Sequence, residues 1–216
     1  PVHGAAMMGK YIKDSKRINE AFDCHFINLT TASGLEDIGK VGVGKAVRYL
    51  KLLQHVRQKV KRLHPSLVYV TPNAAGAAFY KDYVLVQMLK RMGCHVVCHY
   101  HNKGVASRQG STLDNWLYKR FFRGVKVILL AEALYKDVAK YVSRDDVTIV
   151  PNGIPDIMPL PEKQHSNDVP QLLFLSNLIE SKGVIDLLDA CKILKERGGK
   201  FVCNFVGGET SEINAA

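Results

Sequence analysis

The stretch FLSNLIESKGVIDLLDA, residues 174–190, decides how the end of the chain folds. The apolar residues 172–175 predict a buried strand, and the polar residues 176–181 predict the turn that follows it. After the turn, apolar side chains recur at helical spacing, at Leu187, Leu188, Ile193 and Leu194. The stretch therefore predicts a strand, a turn and a helix in succession, which is the repeating unit of an α/β protein.

Lys182 and Gly183 stand where this helix begins. The unpaired N–H groups and the dipole of a helix N-terminus favour negative charge, and a neighbouring cation adds to the attraction. The next predicted strand runs into Gly207, Gly208 and Glu209, and the two glycines let a ligand approach the backbone closely. These residues favour a nucleotide site. The alternative is that Lys182 only keeps the surface soluble.

Strands and helices also alternate through the first 150 residues. The strongest helical pattern is at residues 44–63, where apolar positions follow the three-four step. Strands are predicted at residues 22–29, 67–70, 95–99, 125–130 and 147–150. Further helices are predicted at residues 10–21, 79–92, 113–122 and 133–142. Such alternation predicts a parallel sheet covered by helices on both faces.

A proline-rich stretch divides the chain. Its prolines lie among polar residues, at Pro155, Pro159, Pro161 and Pro170. We expect a first domain at residues 1–154, a linker at residues 155–169 and a second domain at residues 170–216. Because the sequence does not begin with Met and stops soon after a glycine turn, we expect the second domain to be truncated.

Three places in the chain resemble family-4 retaining glycosyltransferases, which have the two-domain GT-B fold. They are the loop Pro-Val-His-Gly-Ala at residues 1–5, the strand end Val-Pro-Asn-Gly-Ile at residues 150–154, and the stretch at 174–190 with Val206-Gly207-Gly208 after it. The resemblance implies two Rossmann-like parallel-sheet domains, the first on the acceptor side and the second binding a nucleotide-sugar.

The resemblance also implies roles for particular residues. Residues that match the family's donor site are Gly4, Asn177, Lys182, Gly183, Gly207, Gly208 and Glu209. Asn177 departs from the pattern, because it stands where the family usually has an arginine, and an amide donates a hydrogen bond without a charge. His101 matches the family's cleft histidine and is the catalytic candidate, with His99 as its rival. The family's pair of glutamates is expected beyond Ala216, so residues 1–216 alone are expected to be inactive.

The function implied is transfer of a sugar from a UDP- or GDP-linked donor to a lipid-linked or polysaccharide acceptor. The reaction is expected to be retaining and metal-independent, with no cofactor besides the donor substrate and no nucleic-acid partner. The alternative is a non-catalytic basic α/β module that binds RNA or an anionic membrane. A dehydrogenase is less consistent with the chain, since no G-x-G-x-x-G opens a predicted helix.

The charge balance favours an anionic partner. Thirty Lys and Arg against twenty Asp and Glu give a formal net charge of +10. The helix predicted at residues 44–63 is rich in cations, and residues 114–123 mix aromatic side chains with more of them. A solvated face and docking on anionic lipid both fit this pattern. Five cysteines without a CxxC motif predict reduced thiols and a cytoplasmic protein, with docking at the inner membrane face as a hypothesis.

Two other motifs are rejected on physical grounds. The glycine-rich residues 39–45 match a phosphate loop, but Ala46 lacks the hydroxyl that binds magnesium and no apolar strand leads into the motif. Cys94 and Cys98 resemble metal ligands, yet on one strand they lie about 13 Å apart, at roughly 3.3 Å per residue. Zinc needs each ligand within about 2.3 Å of the metal, so no metal site is predicted.

Overall fold

The computed structural model describes residues 4–29, 43–154 and 169–208. The chain separates into two compact units, Pro1–Pro155 and Asp156–Ala216. Most of the proline-rich stretch lies outside the described residues, and the domain assignment stays a prediction.

The first unit is built on a parallel sheet. Its four described strands, β1 (Val68–Val70), β2 (Val96–Tyr100), β3 (Val125–Leu129) and β4 (Val147–Ile149), lie side by side in chain order. The helices of this unit are α1 (Gly4–Asp14), α2 (Lys16–Ala21), α3 (Val43–Leu63), α4 (Gly76–Arg91), α5 (Thr112–Phe122) and α6 (Tyr135–Val138). The predicted α/β class and Rossmann-like sheet are confirmed.

The core lies between one face of the sheet and the helices that join its strands. Helix α4 contacts β2, and α5 contacts β3. Alternate residues of β3, Val125, Val127 and Leu129, are buried on this side, whereas Lys126 between them is exposed. Rings from both helices fill the layer, and the centroids of Phe79 and Tyr118 are 4.5 Å apart. The opposite face carries Tyr69 and His99, and it is this face that leads to the candidate site.

Three local predictions differ from the structure. The helix predicted at residues 10–21 is two helices, because the Ser15 hydroxyl accepts a hydrogen bond from Ile18 N and caps α2. The strand predicted at residues 22–29 is wrong: the described residues offer it no partner strand, and Ile27 and Leu29 instead pack against the core. The helix predicted at residues 133–142 is shortened to α6, preceded by the 3-10 turn Glu132–Leu134.

The second unit is a strand-helix-strand unit, as the stretch at residues 174–190 predicts. Strand β5 (Gln171–Leu175) pairs in parallel with β6 (Val202–Val206), and α7 (Val184–Glu196) connects them. Phe174 and Val184 are buried between the strands and the helix. Across the described parts of both units, no helix combines the length and the apolarity that crossing a bilayer requires.

Asp114, near the start of α5, is buried with only 1% of its surface exposed. The Tyr80 hydroxyl donates to its Oδ1 at 2.7 Å, and Arg108 Nε donates to its Oδ2 at 2.8 Å. Burial alone would raise the pKa of Asp114, but the Tyr80 hydrogen bond and the Arg108 charge hold that pKa below its ordinary value. The carboxylate therefore joins the loop before α5 to α4.

Replacing this carboxylate should destabilise the first unit. Because the pKa of Asp114 is lowered by folding, its contribution is fully present above the unfolded value of about 4 and is lost as pH falls through the folded-state pKa. We expect Asp114→Asn to lower the free energy of unfolding by about 2 kcal/mol at pH 7, with a smaller difference at pH 3. Urea denaturation checks this, with the exposed Asp145→Asn as control. Equal loss in both variants would contradict it.

Candidate functional site

The carboxyl end of β2 brings two histidines together. His99 lies near the end of the strand and His101 follows two residues later, so both face the same side of the sheet. Their ring centroids are 4.2 Å apart. Open α/β sheets bind ligands outside the carboxyl ends of their strands, so the pair lies where a site is expected.

His99 is held as an uncharged ring. It is only 6% exposed, and its Nδ1 lies 2.6 Å from the Tyr69 hydroxyl on β1. Burial, with a contribution from His101, lowers the pKa of His99 to about 4. Burial raises the pKa of Tyr69 to about 12. At neutral pH both side chains are therefore neutral.

Other nitrogens of this pair are buried without partners. Within the described residues, His99 Nε2 and both ring nitrogens of His101 lack a hydrogen bond of good geometry, although the Asn152 side chain lies near enough to interact with His101. Burial lowers the pKa of His101, and the Asn152 side chain opposes part of that shift. Buried polar atoms are normally paired, so unpaired ones at a sheet edge indicate atoms that a ligand would satisfy.

A cavity of about 400 Å³ opens beside His99. Helices α1 and α2 form one wall, with Met8, Tyr11, Ile12, Ser15 and Ile18. The other wall consists of His99 and the segment after β4, with Val150, Pro151, Asn152, Gly153 and Ile154. Ligand pockets measure about 300–1,000 Å³ and are largely apolar, and this cavity fits both criteria. His99 lines the cavity, whereas the ring of His101 is tilted against that of His99. The choice between them as catalytic residue stays open.

The loop after His101 is fixed by Asp137 from α6. The carboxylate of Asp137 accepts hydrogen bonds from Gly104 N at 2.9 Å, Val105 N at 3.1 Å and Ala106 N at 2.9 Å. Gly104 has φ +147°, and a Cβ there would lie 3.2 Å from the Ala75 side chain, so glycine is required. The sequence analysis missed Asp137, which resembles an ordinary surface residue of a helix.

The second unit brings three of the predicted donor residues together. Past the ends of β5 and β6, Ser176 N donates to Val206 O at 3.1 Å and Leu178 N donates to Gly208 O at 2.9 Å. A Cβ on Gly207 would lie 1.7 Å from Ser176 O, whereas one on Gly208 would lie 3.6 Å from Asn177 Oδ1. Only glycine fits at position 207, and Asn177 lies beside both glycines.

Lys182 and Gly183 lie at the start of α7. Lys182 is exposed and ends a 3-10 turn, and Gly183 has φ +80°, which suits glycine. Gly183 has no side chain with which to cap the helix, so the N–H groups of the first turn receive no hydrogen bond from an N-cap side chain. Asp186, whose Oδ2 would be 3.6 Å from a Cβ on Gly183, places a carboxylate beside these donors.

Two predicted donor residues are not tested by this geometry. Gly4 is the first residue of α1, and its role stays a prediction. Glu209 lies outside the described residues. Among the residues that the structure describes, no three His, Cys, Asp or Glu side chains are placed to share a metal ion.

The family model for Glycosyltransferase Family 4 matches residues 38–156, more than half of the chain. The chain belongs to glycosyltransferase family 4. The matched residues include all four described strands of the first unit and the His99–His101 pair of this family-4 glycosyltransferase. No curated protein matches the chain at a significant level. The resemblance found from the sequence is confirmed, and the protein is a glycosyltransferase that acts on a sugar donor and an acceptor.

Proposed function

We propose that this family-4 glycosyltransferase transfers a sugar from a UDP- or GDP-linked donor to a lipid-linked or polysaccharide acceptor, with retention of configuration and without a metal. The observation that carries the proposal is the joining of the β5 and β6 ends, where Asn177, Gly207 and Gly208 meet ahead of α7. Retention is proposed on family membership.

The donor's diphosphate would bind at these strand ends and at the start of α7. Negative charge grows on the leaving phosphate as the glycosidic bond breaks, so groups that stabilise it there lower the barrier. Lys182 supplies a positive charge, and the N–H groups of the first helical turn supply hydrogen bonds. Asn177 adds a hydrogen bond without charge. Asp186 opposes the bound phosphates, so we propose that Lys182 carries most of the neutralisation.

The acceptor would bind in the first unit, in the cavity beside His99. The chiefly apolar walls of that cavity favour a lipid-linked acceptor over an unmodified polysaccharide. His101, whose ring is tilted against that of His99 at a centroid distance of 4.2 Å, would contact the transferred sugar or the leaving phosphate.

The test is nucleotide release by the full-length protein from UDP-, GDP- and ADP-sugars, with and without EDTA. We expect release from one donor class, at a rate that EDTA leaves unchanged. A folded protein that releases nucleotide from none of the donors would overturn the proposal and favour the non-catalytic module.

We also propose that the protein docks on an anionic membrane through helices α3, α4 and α5. The Tyr49 hydroxyl on α3 donates to Lys81 O on α4, and Tyr80 on α4 donates to Asp114 on α5, so the helices lie side by side. Together they contain twelve Lys and Arg but only two acidic residues. The acidic residues, Asp82 and Asp114, are both hydrogen-bonded within the protein.

Apolar side chains are exposed on the same helices, mostly towards their first halves. They are Val47, Leu50, Tyr80, Val84, Leu113 and Trp116. Apolar side chains that enter the interface and cations that contact lipid phosphates act together in peripheral binding. Each basic residue near an anionic surface contributes about 1 kcal/mol.

Removing two of these cations should weaken membrane binding. We expect Arg57→Gln with Lys61→Gln to lower the partition coefficient on phosphatidylglycerol-containing vesicles about 30-fold, which corresponds to about 2 kcal/mol. Vesicle co-sedimentation measures this, with exposed Lys13→Gln and Lys16→Gln on α1 and α2 as the matched control. Failure of the wild-type protein to bind these vesicles would contradict the proposal, and so would equal binding to neutral phosphatidylcholine vesicles.

A further inference from the structure

Tyr69 and His99 form a short hydrogen bond whose direction depends on the tautomer of the histidine ring. The Tyr69 oxygen lies 2.6 Å from His99 Nδ1, and the two rings meet edge to face at 79°. That separation is within the range for an O–H donor and shorter than the usual 2.7–3.2 Å or so for N–H···O. Donation by the tyrosine hydroxyl to Nδ1 fits this separation better than the reverse direction.

This direction fixes the proton on the other nitrogen of His99. A neutral imidazole carries one N–H, so a ring that accepts at Nδ1 carries its proton on Nε2. His99 Nε2 is buried and has no partner within the described residues. His99 lines the cavity, and its Nε2 is a buried nitrogen that the described residues leave without a partner.

The rest of the cavity indicates the kind of ligand that such a donor would serve. None of the described lining residues is Lys, Arg, Asp or Glu, so this part of the cavity offers no charge to a phosphate or an amine. Most of them are apolar, and they come from α1, α2 and the segment after β4. A ligand that matches is uncharged and apolar and carries an oxygen that accepts one hydrogen bond.

We infer that the cavity binds the uncharged apolar aglycone of the acceptor, and that Tyr69 orients His99 so that its Nε2–H donates to a hydroxyl or carbonyl oxygen of that group. Tyr69 is thus a positioning residue. The inference rests on the proposed function and deepens it, because it names the part of the acceptor that the first unit binds.

The tautomer is tested by nitrogen NMR of the full chain labelled with ¹⁵N-histidine. We expect the His99 ring to show the Nε2–H tautomer at neutral pH in the wild type, and a mixture of tautomers in Tyr69→Phe. A purely structural role of Tyr69 would leave the tautomer unchanged. Finding the Nδ1–H tautomer in the wild type would overturn the inference.

Binding is tested with two probes that differ in one oxygen, 4-butylphenol and butylbenzene. We expect 4-butylphenol to shift the His99 Nε2 resonance and to bind at least tenfold more tightly than butylbenzene. Ile12→Trp, which fills the cavity from α1, should abolish binding, whereas Lys13→Trp on the exposed side of the same helix should preserve it. Equal binding of the two probes, or no binding of either, would overturn the inference.

These measurements separate the inference from the proposed function, because none of them requires sugar transfer. Probe binding without nucleotide release would reject the proposed function alone. Nucleotide release without probe binding would reject the assignment of the cavity alone.

Discussion

Lys182→Ala is expected to lower nucleotide release from the preferred donor at least tenfold, a loss of about 1.4 kcal/mol of transition-state stabilisation. The reason is that the lysine lies just before α7 and supplies the positive charge that Asn177 cannot. Steady-state release by the full-length protein measures the effect. The matched control is Lys192→Ala, which removes an exposed cation from α7 itself, away from its N-terminus.

The kinetic pattern of this variant separates two roles for Lys182. If its charge acts on the leaving phosphate, kcat falls along with kcat/KM; a residue that only binds the ground state changes KM. Equal activity of Lys182→Ala and the wild type would show that Lys182 serves only solubility, which was the alternative left open by its position in the sequence.

Gly207→Ala is expected to separate the ends of β5 and β6 in the second unit. The added methyl group would lie 1.7 Å from Ser176 O, so the two strand ends would have to separate. Overpacking of this kind costs about 3 kcal/mol. Hydrogen exchange with mass spectrometry should show lost protection in peptides from β5 and β6, with the first unit unchanged.

Gly208→Ala is the control for this prediction. Its added methyl group would lie 3.6 Å from Asn177 Oδ1, an ordinary contact, so we expect near wild-type protection. Equal hydrogen-exchange protection of β5 and β6 in the two variants would contradict this prediction. It would show that the close contact between Gly207 and Ser176 O does not stabilise the strand ends.

Helices and strands that have a strong local sequence pattern could be predicted from the sequence. The helix at residues 44–63 and the strand-turn-helix at 174–190 were predicted nearly to their ends, because long periodic patterns and turn residues report local structure directly. The strand at residues 22–29 was wrong for a related reason: apolar spacing reports burial, and it does not report whether a partner strand exists.

The contacts that build the candidate site join residues far apart in the sequence, so no local sequence pattern predicts them. Tyr69 reaches His99 because the register pairs it with Val97, two residues earlier on β2. Asp137 reaches the loop after β2 across more than thirty residues of chain. Of the predicted donor residues, by contrast, Gly207 directly follows β6 and Asn177 lies two residues after β5, so their meeting could be anticipated from a parallel strand pair.

The loop held by Asp137 has a consequence for where phosphates can bind. Successive backbone N–H groups that converge on one point form a concavity that often serves as a phosphate receptor. Here Gly104, Val105 and Ala106 form such a receptor, and the protein's own carboxylate occupies it. A diphosphate would have to displace the Asp137 carboxylate from these N–H groups. Because Asp137 belongs to the same chain, its effective concentration at the loop is high. Because Asp137 already occupies these N–H groups, the loop is closed to the charged end of the proposed donor.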